Sequence, residues 1–375
     1  MLKKYNPFVR GSYPVGVKSD CYTDETRGVV LNVEIWYPAA EKYAGMDLDP
    51  KTKDVYQEVW LVEGMDEEST ASQDAVRDAD AAQGKYPLVI LAHGWAGHRR
   101  ESTFIGTHLA SYGYVVISAD FPVGTFGEVD AFFTKQETIH DHNALEKHVT
   151  AIGESRFRDI PFLIDTVIEK ERNIDIEAGI GITGASYGGW TSFMAPSIDQ
   201  RVIASVPMCP GIRSDFKYES GPLNVMPEID FSKYSEDTKT LILCADRDCI
   251  IPLQVQLENL KRLENEYRMV IMFRADHNHF VDDIDDVGQV WLKDFLVRLA
   301  NIFPDPEMNL KLMAERCCRP GQLVDGNTAK EVWRGLILAH MDRVLKRNAD
   351  ASDFIRGDID AATETIGAHT YTISK

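Results

Sequence analysis

The stretch that decides the fold is GITGASYGGW, Gly181 to Trp190, where four glycines crowd around one serine, Ser186, directly after an apolar run. Glycine costs backbone entropy inside a helix or strand, so this density needs a physical reason. A dinucleotide-type phosphate loop requires G-x-G-x-x-G after a strand, and Gly179, Gly181 and Gly184 have that spacing. The first two, however, fall inside the apolar run AGIGIT, before any turn, where no cradle can form. A P-loop is excluded because no Gly-Lys-Ser/Thr follows. The remaining pattern is G-x-S-x-G, Gly184 to Gly188. On a sharp strand-to-helix turn a serine hydroxyl stands free at the top of a sheet, and the strained backbone tolerates only small residues two places to either side. Gly184 and Gly188 meet that demand, and Gly189 lets the following helix pack closely.

Outward from the serine, six short apolar runs rich in Val and Ile recur along the chain: YPLVILAHG, YGYVVISADFP, AGIGITGAS, VIASVPMCPG, KTLILCADRD and YRMVIMFRADH. Each is stopped by Gly, Asp or Pro, and runs apolar on both faces are what the central strands of a parallel sheet require. Helix-length stretches lie between most of them, such as ESTFIGTHLASYG and RFRDIPFLIDTVIEKERN, where Ile160, Leu163, Ile164 and Val167 recur at helical spacing. Strand alternating with helix predicts an α/β fold with a doubly wound, mostly parallel sheet. Ahead of these runs, VVLNVEIWYPA alternates apolar and polar residues from Leu31 to Trp36, as a half-buried strand does.

These patterns divide the chain into a catalytic domain, residues 1–305, and a C-terminal helical extension, residues 306–375. Within the domain, residues 41–85 read as an acidic surface insertion with some helix. Residues 124–154 and 212–237 interrupt the strand–helix rhythm and are candidate lid segments, because loops beyond the carboxyl ends of strands line ligand sites. The extension carries an amphipathic helix, AKEVWRGLILAHMDRVLKRN, with an apolar stripe of Trp333, Ile337, Met341, Val344 and Leu345. That stripe is expected to pack on its own domain, with a second copy of the chain, as a homodimer, the alternative.

A serine hydroxyl is inert near neutral pH without a base and an orienting acid. On a strand–turn–helix scaffold of this kind the partners follow in the order acid, then histidine, each at the end of a later strand. LILCADRDCIIP ends one strand with Asp246 and Asp248, and VIMFRADHNHF ends the next with His277 and His279. Asp248 is preferred because Asp246, at the strand tip, suits a turn cap. His277 is preferred because His279 points away if the turn is extended. The developing oxyanion needs two backbone donors: the N–H of Tyr187, directly after the serine, and that of Trp95 in LAHGWAGHRR. Trp95, Ala185 and Tyr187 are also the substrate-pocket candidates.

Composition narrows the function further. The formal net charge of -19 disfavours nucleic acid and anionic membranes as partners. No apolar run is long enough to span a bilayer, and the N-terminus lacks the apolar core of a secretory signal. The six cysteines (Cys21, Cys209, Cys244, Cys249, Cys317 and Cys318) show no CxxC spacing, which argues against zinc and for reduced thiols in a cytoplasmic protein. The vicinal Cys317 and Cys318 read as two unrelated thiols rather than a redox pair. His140, His142 and His148 gather in ETIHDHNALEKH, but a helix puts the first two on different faces, so no metal is expected. Asp120 reads as a turn cap.

Taken together, AHGWAG, LASYGYVVISADFP, GASYGGW, DRDCIIP and ADHNHF resemble the α/β-hydrolase superfamily. The nearer resemblance is to the branch of dienelactone-hydrolase-like proteins, platelet-activating-factor acetylhydrolases and cutinase-like esterases. YPVGV, DETRG, VEIWYPA and RFRDIPFLID add to it, so that it covers roughly Asn6 to Phe303. The resemblance implies an α/β-hydrolase fold, with Ser186 as nucleophile, Asp248 as acid, His277 as base, and Tyr187 and Trp95 as the oxyanion hole. It implies a serine esterase acting on small or medium neutral ester substrates through an acyl-enzyme, without a cofactor. Two departures stand out. Dienelactone hydrolase itself uses a cysteine nucleophile, and many relatives carry a large residue where this chain has Ala185. An amidase, lactonase or acyltransferase with the same triad, or a non-catalytic binding protein on this fold, is the alternative.

Overall fold

The computed structural model describes residues 5–58, 69–134, 142–213, 226–282, 286–302 and 310–375. All six apolar runs form strands. In chain order the elements begin with β1 (Val15–Asp24), β2 (Val29–Pro38), β3 (Asp54–Glu58), β4 (Ser69–Gln73), β5 (Val76–Arg77) and β6 (Leu88–Ala92). There follow α1 (Thr103–Ser111), β7 (Val115–Ala119), α2 (Phe126–Thr134), α3 (His142–Lys170), β8 (Ile180–Ala185), α4 (Tyr187–Ile198), β9 (Val202–Met208) and β10 (Lys239–Ala245). The chain continues through α5 (Leu253–Asn259), β11 (Tyr267–Met272), α6 (Asp286–Ile302), α7 (Leu310–Arg316), α8 (Gly326–Val344), α9 (Ala349–Arg356), α10 (Ile359–Glu364) and β12 (Thr370–Ser374).

One sheet runs β12-β11-β10-β9-β8-β6-β7-β2-β1-β5. Its centre, from β7 through β6, β8, β9 and β10 to β11, is parallel. β2 pairs antiparallel with β7, and β12 pairs antiparallel with β11. Every residue of β6, β7 and β8 is buried, as strands covered on both faces must be. One face packs on α1 and α8, the other on α3, α4 and α6, where Ile160, Leu163, Ile164 and Val167 form the buried stripe that their spacing predicts. The strand order reverses between β6 and β8, so a crevice opens beyond their carboxyl ends. Gly94 and Trp95 follow one of these ends and Ser186 the other.

The structure differs from the sequence reading in three places. Alternation in β2 predicts one wet face, yet Glu34 is fully buried, its carboxylate held by Arg77 at 2.8 Å and Arg100 at 3.1 Å. The described part of residues 41–85 holds the antiparallel pair β3–β4 and a single 3-10 turn rather than helix. It is also joined to the domain, because Trp36 Nε1 donates to Gln73 at 2.6 Å and Arg77 donates to Glu34 at 2.8 Å, so it is more than a surface excursion. The interval 124–154 does not end where the periodic helix was expected to begin: α3 starts at His142 and runs on through Pro161. Of the interval 212–237, residues 214–225 lie outside the described residues.

The C-terminal segment is the helical extension that its pattern predicts, built from α7, α8, α9 and α10. It ends in β12, which completes the sheet by pairing Thr370–Ser374 with Arg268–Met272. The stripe of α8 is spent within the chain: Met341 lies against Gly181, and the Trp333 ring stacks on Phe280 with centroids 4.9 Å apart. A homodimer through that face would have to displace these contacts. No helix among the described residues is long and apolar enough to cross a membrane.

Candidate active site

Ser186 stands between β8 and α4 with φ 58° and ψ -114°, a conformation that L-residues rarely adopt. Its backbone is pinned there on both sides. The Ser186 N–H donates to the carbonyl of Met208 at 3.0 Å, and its own carbonyl accepts from Trp190 and Gly211. The surrounding glycines are required by distance. A Cβ on Gly184 would come within 2.1 Å of the Ala92 carbonyl oxygen, one on Gly188 within 1.9 Å, and one on Gly189 within 2.5 Å of the Met208 carbonyl oxygen.

Asp248 and His277 meet at the ends of β10 and β11. His277 Nδ1 lies 2.9 Å from one carboxylate oxygen of Asp248 and 3.1 Å from the other. The Asp248 side chain is buried and also accepts from the N–H groups of Ile250 and Ile251 at 2.9 and 2.7 Å, which fixes its plane. Burial of the imidazole opposes its charge, but Asp248 and the neighbouring Cys209 outweigh burial and hold the His277 pKa well above its ordinary value. Among the described residues no hydrogen bond joins Ser186 to His277. The hydrogen bond between nucleophile and base characteristically tightens around substrate.

The alternatives for acid and base are engaged elsewhere. Asp246 accepts from the Ala275 N–H at 3.3 Å and so caps the turn after β11. His279 is buried, tied to Asp276 and to the Val324 carbonyl. Asp120 holds the Arg99 N–H at 2.7 Å and pairs with its guanidinium. Of the histidines in ETIHDHNALEKH, His140 and the His142 side chain lie outside the described residues, while His148 stacks on Phe132 with centroids 4.4 Å apart.

Ser186, His277, Tyr187, Trp95 and Ala185 all line one cavity of about 190 Å³, with Asp248 behind the histidine. Neither the Trp95 nor the Tyr187 backbone N–H is taken by an acceptor among the described residues. The far wall is apolar, formed by Leu292, Phe295 and Leu299 of α6 and by Leu310 and Met313 of α7. Both candidate lid intervals reach the cavity, through Val149 and Met226. They also meet behind it, where Gly153 leaves room for Pro227 and the Tyr187 hydroxyl.

Comparison with known proteins gives the family and the fold. The model of the dienelactone hydrolase family matches residues 74–288, more than half of the chain. The chain belongs to the dienelactone hydrolase family. Residues 3–122 also match the model of platelet-activating factor acetylhydrolase, isoform II. Among solved structures the family member is similar to a ferulic acid esterase from Streptomyces cinnamoneus, with 21% identity, 96% of each chain covered and a TM-score of 0.60, a likeness of fold. No curated protein matches significantly. Family and fold place this dienelactone hydrolase relative in the α/β-hydrolase superfamily and support hydrolase activity in the broad sense.

Two residues of the site escaped the sequence reading. The Glu101 carboxylate accepts the Gly94 N–H at 2.8 Å and faces the cavity, and burial pushes its pKa from 4.5 to about 8. Cys209 follows β9 with φ 33°, its sulfur within 4.8 Å of ligand atoms of both Asp248 and His277. Glu101 sits in a helix-like sequence and Cys209 at the end of an apolar run, so neither carries a local signal.

Proposed function

We propose that this member of the family is a serine carboxylic-ester hydrolase with Ser186, His277 and Asp248 as its triad. The observation that carries the reading is Ser186, held at positive φ over a cavity that it shares with a histidine whose Nδ1 is gripped by a buried carboxylate. In this reading His277 Nε2 takes the Ser186 proton as the hydroxyl attacks the ester carbonyl. The tetrahedral oxyanion is met by the Trp95 and Tyr187 N–H groups, each worth ~3 kcal/mol to the transition state. His277 then passes its proton to the leaving alcohol, and the acyl group stays on Ser186. Water activated by the same imidazole releases the acid. Asp248 keeps the proton on Nδ1, so that Nε2 is free to act as base.

The apolar wall of α6 and α7 suits a small or medium uncharged acyl group, in accord with the acidic character of the whole chain. The test is a panel of nitrophenyl esters, matched amides and lactones, run beside fluorophosphonate labelling of Ser186. Ester turnover that disappears in Ser186→Ala is expected. Amide or lactone cleavage outrunning ester cleavage would replace the substrate class, and failure of Ser186 to label would return the protein to a binding role.

A further inference from the structure

Behind the acid loop lie two thiols that ester hydrolysis does not use. Cys249 directly follows Asp248 and is buried, whereas Cys317, one residue past the end of α7, is partly exposed. Their sulfurs stand 3.4 Å apart, although 68 residues separate them in the chain. A disulfide needs ~2.05 Å between sulfurs, so closure asks for a shift on the order of one ångström. Cys318, the neighbour in sequence, directs its sulfur to the Arg316 carbonyl.

The two thiols are chemically unequal. The Cys249 thiol, placed to donate to the Cys317 sulfur, lowers the pKa of Cys317 against the effect of burial, with Lys293 adding to the shift. Cys249 is pushed the other way by the same contact and by its own burial. A partly exposed sulfur that ionises readily, next to a protonated buried one, has the form of an attacking thiolate with its resolving partner.

We propose that Cys249 and Cys317 form a redox-modification site that reacts with hydrogen peroxide and closes to a reversible disulfide. The Cys317 thiolate attacks one peroxide oxygen, the O–O bond breaks, and Cys317 becomes a sulfenic acid while the departing hydroxide takes a proton to form water. The Cys249 sulfur then attacks the Cys317 sulfur, the S–O bond breaks, and the hydroxyl leaves with the Cys249 proton as a second water. Two electrons pass from the sulfur pair to the peroxide, and an added dithiol reverses the step by exchange. The crosslink staples α7, which carries Leu310 and Met313 of the cavity wall, to the loop of Asp248. It therefore alters how the cavity accommodates long acyl groups, a consequence that rests on the ester-hydrolase reading; the disulfide does not.

The test treats the full-length protein with hydrogen peroxide, caps remaining thiols with iodoacetamide and maps unreduced peptides by mass spectrometry. A Cys249–Cys317 linked peptide is expected, with loss of two hydrogens from the intact mass, reversal by dithiothreitol and a raised unfolding midpoint from closing a long loop. Cys318→Ser keeps the link, and Cys317→Ser abolishes it. Recovery of both cysteines capped, a Cys317–Cys318 link, or Cys317 advancing to sulfinic acid beside a free Cys249 would overturn the site. In the kinetic arm, the ratio of kcat/KM for long over short nitrophenyl esters shifts severalfold on oxidation. An unchanged ratio with the disulfide in place overturns the coupling to the cavity. Absence of ester turnover in both redox forms counts against the hydrolase reading and leaves the thiol site standing.

Discussion

The α-carbon of Gly188 lies so close to the carbonyl of Ala92 that an added Cβ would meet the oxygen at 1.9 Å. The first turn of α4 is thus seated directly on the end of β6, and this seating sets Ser186 beside Trp95. Gly188→Ala should force the turn away from β6, at a cost of about 1–3 kcal/mol, the range for an overpacked site. The urea midpoint should fall and ester hydrolysis should drop with it. A variant with native midpoint and turnover would show that the close seating is not needed.

Ser186 is expected to behave differently toward its two smallest replacements. Both Ser186→Ala and Ser186→Gly remove the hydroxyl, and turnover should fall by about four to six orders of magnitude, as for other serine triads. Only glycine relaxes the positive φ, so Ser186→Gly should be more stable than Ser186→Ala by ~1 kcal/mol. Equal thermal unfolding of the two would argue against strain at the turn.

The pH profile follows from the pairing of His277 with Asp248. The base must be neutral to act, and Asp248 stabilises its charged form. In the native protein kcat/KM should therefore climb with pH through an inflection above 6.5, the ordinary histidine value. Asp248→Asn should move that inflection to lower pH and cut the rate by about 10⁴-fold. An unmoved inflection would mean that another group sets the profile.

Glu101 supplies a stability test independent of turnover. Its carboxyl is raised by burial from 4.5 to about 8, so the folded chain keeps a proton that the unfolded chain gives up. Stability is then greatest below the unfolded value and declines as pH rises toward 8, by an amount on the order of a few kcal/mol. Glu101→Gln removes this decline and keeps an oxygen for the Gly94 N–H. Parallel denaturation curves at pH 5 and pH 8 for the two proteins would overturn the assignment of that proton.

Trp333 should prove integral to the catalytic domain. It is fully buried and stacks on Phe280, three residues beyond His277. Trp333→Ala should destabilise the whole protein by about 3–5 kcal/mol, with a single unfolding transition. Separate melting of residues 306–375, with the domain intact, would contradict this.

The sequence by itself determined the six central strands, the turn at Ser186, and the order of acid and histidine after it. Each of these is written locally: an apolar run marks a strand covered on both faces, and glycine marks a place where a Cβ cannot fit. The choice of Asp248 over Asp246, and of His277 over His279, was only a preference there. In the structure Asp246 is bonded to Ala275 and His279 to Asp276 and Val324, whereas Asp248 and His277 face each other. Tertiary structure alone decided the buried charge of Glu34, the pairing of β12 with β11, the cavity wall drawn from α6 and α7, the place of Glu101 and the meeting of Cys249 with Cys317. Residue patterns report how deeply a segment is buried; which distant segment covers it depends on contacts between residues far apart in the chain, and those arise only when the sheet has closed.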